Sequence, residues 1–260
     1  MTLTNCENIN KIHHIKEDIM SLTAEYLQKE EEQIAEDIYI FCQEMLSDEK
    51  QPIYDGVINV EKYVNNETYR ICWVLKETYD KKDGDWYLSD FLGNKERWRE
   101  YTKQPTWKRV IFTTYGIIND FTEYSDMDDI KGDPEMVQCL NYISVINVNK
   151  MPAKSESKDV DIAQKYIHFK PLLYRQLEKY DPQIIIFGNT FQHFQNDLGI
   201  NDEELSNYYK DKEKPRYVVK NGKLYIDTYH PAVRPTTMIE DDYVQSIIDI
   251  VKINKNNLNE

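Results

Sequence analysis

Apolar residues recur along this chain in two rhythms, and the change from one to the other divides it. From Lys11 to Met45, Ile12, Ile15, Ile19 and Leu22, then Ile34, Ile38, Phe41 and Met45, return at helical spacing between charged faces. No Gly or Pro interrupts before Pro52, so residues 1–56 are expected to form a helical N-terminal extension, with a turn or linker at Pro52–Gly56. Beyond it, short continuous apolar runs alternate with longer periodic segments. Tyr69–Leu75, Ile143–Val148 and Gln183–Phe187 have strand length. Trp107–Phe121 and Asp159–Tyr180 read as helices. The second carries Ile162, Tyr166, Phe169, Leu173 and Leu177 in one stripe and stops at Asp181-Pro182. Asn221-Gly222, between Tyr217–Val219 and Leu224–Thr228, predicts a hairpin. A helix with Tyr243, Ile247, Ile248 and Val251 closes the chain.

Strands that are apolar throughout and alternate with helices predict the α/β class, with a largely parallel sheet covered on both faces. Residues 57–260 are expected to form that domain. Composition agrees: 40% hydrophobic and 30% charged residues suit a folded soluble chain. No apolar run reaches membrane-span length, and MTLTNCENINK lacks the pattern of a secretory signal, so a cytoplasmic protein without membrane contact is expected. Cys6, Cys42, Cys72 and Cys139 are too scattered for a metal or iron–sulfur site, and buried reduced thiols are the simplest reading. His13, His14, His168 and His193 keep no ligand spacing with nearby acids, so no metal is expected. With 8 glycines and no phosphate loop, a nucleotide-dependent kinase or dehydrogenase is unsupported and no cofactor is expected.

Charge is uneven. The net formal charge is −14, yet residues 1–66 hold 5 Lys and Arg against 14 Asp and Glu, while the remainder holds 27 against 32. The larger part of the chain is therefore only mildly acidic and has room for a local basic patch. The acidic run Glu30-Glu31-Glu32 is most simply a solvated helix face, with protein interaction as the alternative.

In parallel sheets ligands bind beyond the carboxyl ends of the strands. Three such ends carry chemistry: Lys76-Glu77-Thr78-Tyr79-Asp80, Asn147-Val148-Asn149-Lys150-Met151-Pro152, and Tyr229-His230-Pro231-Ala232-Val233-Arg234-Pro235. Singly, each has a plain structural reading as a turn, a cap or a rigid loop.

In this order they resemble the uracil-DNA glycosylase superfamily. VLKETYD is similar to VGQDPYH, placing Glu77 on the water-activating carboxylate and Tyr79 on the Tyr that limits base size. NVNKMP is similar to the N-V-x-K-x-x-P run of the iron–sulfur branch, placing Asn147 on the base-reading amide. YHPAVRP is similar to the closing motif, placing His230 on its catalytic His. The resemblance covers about Tyr69 to the C-terminus and implies a three-layer α/β/α fold around a four-stranded, mainly parallel sheet. It also implies DNA as the partner, with uracil or another altered base flipped into the pocket. Leu75 stands where the family has Gly, Thr78 where it has Pro, and the cluster cysteines are absent.

Glycosidic hydrolysis builds positive charge on the sugar and negative charge on the departing base. Glu77 is placed to orient a water, neutral His230 to donate to the base oxygen, and Asn147 to read a pyrimidine edge. Arg234 and Lys150 are expected to contact DNA. Phe91, chosen over Trp86 and Tyr87, is expected to stack on the base. Two alternatives stand beside the enzyme: a non-catalytic base-, nucleotide- or protein-binding module on the same fold, and a scaffold that binds protein partners through its acidic N-terminal helices.

Overall fold

The computed structural model describes residues 22–45, 51–80, 84–153 and 158–258. Its long helices are α1 (Ala24–Met45), α2 (Pro105–Ile118), α3 (Asp159–Tyr180) and α4 (Glu240–Asn254). The strands are β1 (Ile53–Tyr54), β2 (Gly56–Val57), β3 (Ile71–Leu75), β4 (Trp86–Tyr87), β5 (Ile143–Asn147), β6 (Ile184–Gly188), β7 (Ser206–Asn207), β8 (Arg216–Lys220) and β9 (Lys223–Thr228). Ile12, Ile15 and Ile19 lie outside the described residues.

The main sheet runs in the order β2-β5-β3-β6-β9-β8-β7. Strands β5, β3, β6 and β9 are parallel, as their unbroken apolar runs require. Four strands therefore describe only the centre of the sheet, and the expected four-stranded sheet is corrected to seven. The extra strands are antiparallel edges: β2 on β5, and β8 with β7 beyond β9. The β8–β9 hairpin closes at Asn221 and Gly222, both with positive φ, the conformation that the favoured two-residue turn demands. The expected linker at Pro52–Gly56 is likewise corrected, since it contributes β1 and the start of β2.

Successive strand residues face opposite ways and feed two apolar layers. Ile71, Trp73, Leu75, Ile184 and Ile186 pack with Val110 and Ile111 of α2 and Ile247 and Val251 of α4. Cys72, Val74, Ile185 and Phe187 pack with Phe169 and Leu173 of α3 and with Leu27, Ile34, Ile38 and Cys42 of α1. The N-terminal helix thus belongs to the second layer rather than lying loosely on it. Cys42, Cys72 and Cys139 are buried and free, which fits their reading as core thiols, while Cys6 falls outside the described residues. Among the described residues, no helix is long and apolar enough to cross a membrane.

The parallel order brings the carboxyl ends of β5, β3, β6 and β9 to one rim. Chain direction reverses its spread there: β5 lies on one side of β3, and β6 and β9 on the other. A crevice is expected at such a point.

A candidate active site at the carboxyl rim of the sheet

Register sets the floor of that crevice. Leu75 is paired with Asn147 at the last rung of β3 and β5. The two chains then continue side by side past the sheet: Val148 N–H donates to Leu75 C=O at 2.9 Å, Asn149 N–H to Lys76 C=O at 2.9 Å, and Ala153 N–H to Thr78 C=O at 3.0 Å. The loops bearing Glu77 and Asn147 are therefore held to one another by backbone hydrogen bonds, an unusually fixed arrangement for connecting segments.

A cleft of about 770 Å³ opens above this floor, lined by Leu75, Glu77, Tyr79, Phe91, Asn147 and His230 among others. A second cavity of about 480 Å³ adjoins it and shares Glu77, Tyr79 and His230; Lys76, Asn189 and Arg234 line its other walls. Carboxylate, amide and imidazole from three distant strand ends thus line one cleft. Leu75 leaves it open, because its side chain lies over Gly188, where an added Cβ would come within 2.8 Å of the Leu75 Cδ2. The bulk of Leu75 on β3 is accommodated by the absence of a side chain at Gly188 on β6.

Each chemical group is held by a specific partner. The Glu77 Oε2 accepts from the Asn149 Nδ2 at 3.0 Å, and the Asn149 Oδ1 accepts from the Met151 N–H at 3.1 Å. With its oxygen committed to that amide, Asn149 must present its NH2 to Glu77. The Asn147 Nδ2 donates to the Thr78 Oγ1 at 3.0 Å, and its Oδ1 remains available to a ligand. His230 accepts the Ala232 N–H on Nδ1 at 3.1 Å, so the neutral ring carries its proton on Nε2. Burial holds His230 far below the usual histidine range, at about 4, with the charges of Lys76 and Arg109 adding to the effect. The imidazole is therefore a neutral donor at physiological pH.

Arg109 braces the last loop from below. Its buried guanidinium donates to the carbonyls of Pro231 at 2.8 Å, Val233 at 2.9 Å and Met238 at 3.3 Å, and lies over the Tyr243 ring. Sequence reasoning missed Asn149, Arg109 and Asn189. Asn149 and Asn189 do stand at strand ends, and Asn189 takes a positive φ directly after Gly188. Arg109 sits inside a helix and gave no indication.

No protein-family model and no curated protein matches the chain.

Of the residues expected at the site, Glu77, Asn147, His230, Tyr79 and Phe91 line the cleft and Arg234 the adjoining cavity. Three placements differ from expectation. Lys150 is fully buried: its ammonium donates to Asp55 at 2.6 and 2.9 Å and to the Gln176 Oε1 at 2.8 Å, beneath the rim and out of reach of DNA. An ion in that position needs an internal counter-charge, which Asp55 supplies. Tyr79 is 59% exposed and stands at the mouth of the cleft rather than enclosing it. Phe91 packs edge-on against Trp86 and Tyr101, an aromatic wall rather than a lone stacking platform.

Proposed function

We propose that the chain hydrolyses the N-glycosidic bond of an altered base in DNA, uracil being the simplest such base. The observation that carries this reading is the convergence of Glu77, Asn147 and a neutral, Nε2-protonated His230 on one cleft. Glu77, its geometry set by Asn149, orients a water and takes its proton as the water oxygen bonds to C1′ of the sugar. The C1′–N bond breaks and its electron pair leaves with the base. The charge gathering on the base oxygen meets the Nε2–H of His230. The Asn147 Oδ1 accepts from a ring N–H, and the adjoining cavity, with Arg234 on its wall and Lys76 paired to Asp159 at 2.6 Å, suits the flanking phosphate.

The test is an abasic-site assay on single-stranded and mismatched DNA carrying uracil and a panel of altered bases. Wild type is expected to generate alkali-labile sites. Glu77→Gln and His230→Ala are each expected to slow this by about 10²–10⁴-fold. A second reading, a base-binding module without catalysis, draws support from the Asn147–Thr78 hydrogen bond, which engages the base-reading amide in advance. Base-dependent affinity with no abasic sites on any substrate would establish that reading over the first.

A further inference from the structure

We infer that the base accepted by this cleft carries a polar substituent much bulkier than a methyl group. The inference rests on the base-recognition reading above and concerns the substrate class of the same site.

Three observations point the same way. First, about 770 Å³ lies in the range that encloses a drug-sized ligand, far more than one pyrimidine ring fills. Second, Tyr79 stands 59% exposed at the mouth, so its ring does not close the cleft over a bound base. Third, the part of the cleft built by residues 84–107 has its own recognition chemistry. Trp86, Phe91 and Trp107 supply aromatic faces. Arg97, which pairs with Glu100 at 3.3 Å on the cleft's edge, places its guanidinium 5.3 Å from the centre of the Phe91 ring, and Gln104 lines the same wall. The Gln104 amide makes no side-chain hydrogen bond within the described residues, and it offers donors and an acceptor together.

A bare uracil held by Asn147 and His230 would leave this second part filled with water and its polar groups without a ligand. A substituent projecting from the ring with hydroxyl or similar groups would stack on the aromatic wall while Arg97 and Gln104 bond its oxygens. Aromatic faces interleaved with the Arg97 cation, the Gln104 amide and the carboxylates of Asp85 and Asp90 fit a neutral, hydroxylated group better than a bare hydrocarbon or a polyanion.

The experiment uses the full chain and single-stranded oligonucleotides bearing uracil, 5-hydroxymethyluracil, or 5-hydroxymethyluracil extended at its hydroxyl by a hexose. Cleavage and binding are both measured. The extended base is expected to be cut with a kcat/KM at least tenfold above that of uracil. Arg97→Ala with Gln104→Ala is expected to erase that advantage, bringing the ratio of the two kcat/KM values to about one. Equal or better cleavage of uracil would overturn the inference while preserving the glycosidase reading. Binding that favours the extended base and depends on Arg97, without cleavage, would preserve the inference and remove the glycosidase. Neither cleavage nor discrimination would overturn both.

Discussion

At the residue scale, the site depends on which partner each polar atom has already taken. Asn147 was singled out by the resemblance of NVNKMP to a known motif, since an amide at a strand end taken alone has the plain reading of a turn or cap. Asn149, two residues on, has the same side chain and an equal claim by sequence. Only the Met151 N–H on its oxygen separates its role from that of Asn147, by turning its NH2 toward Glu77. No spacing rule encodes that contact. Replacing Asn149 by Leu frees the Glu77 carboxylate to rotate away from the water that the proposed hydrolysis has it orient. The expected result is a fall in kcat of about 10²-fold with KM little changed, read from single-turnover and steady-state cleavage.

At the element scale, most of the architecture was readable, because strand and helix periods are local. The parallel strands, the hairpin at Asn221-Gly222 and the helix ending before Asp181 all follow from residues close in sequence. The strands at Ile53–Val57 were not readable. They owe their place to Asp55, whose carboxylate accepts the Asn147 N–H at 2.7 Å and pairs with Lys150, some 95 positions away. That pair fixes the segment to the sheet edge and supports the loop carrying Asn147 and Asn149. Lys150→Met leaves Asp55 as a buried carboxylate without its cation. Stability is expected to drop by about 3–5 kcal/mol in urea unfolding, and Asp55→Asn in the same chain should restore part of the loss. A lysine acting on DNA would show the opposite pattern, with affinity lost and stability kept.

At the scale of the whole molecule, the acidic N-terminal segment is part of the fold's pH response as well as its surface. Helix α1 inserts Glu31 between Gly56, Val57 and Tyr180, where the Tyr180 hydroxyl and the Val57 N–H bond to it and one carboxyl oxygen stays buried without a partner among the described residues. Burial pushes this carboxyl up to about 8, with nearby Asp55 adding a smaller effect in the same direction. The run Glu30-Glu31-Glu32 is therefore not a uniform solvated face: Glu30 pairs with Arg175 at 3.1 Å, while Glu31 turns inward. A raised acid pKa means the folded state holds its proton more tightly than the unfolded chain. The associated stability is fully present below about 4.5 and is lost as pH rises through about 8. Glu31→Gln removes the titrating proton and keeps the shape. The variant is expected to match wild type near pH 5 and to exceed it at pH 8–9 by a few kcal/mol, since each tenfold gain in proton affinity on folding corresponds to about 1.4 kcal/mol. Urea unfolding of both proteins across that range is the measurement. Parallel curves for the two would mean that Glu31 is solvated rather than held inside the fold.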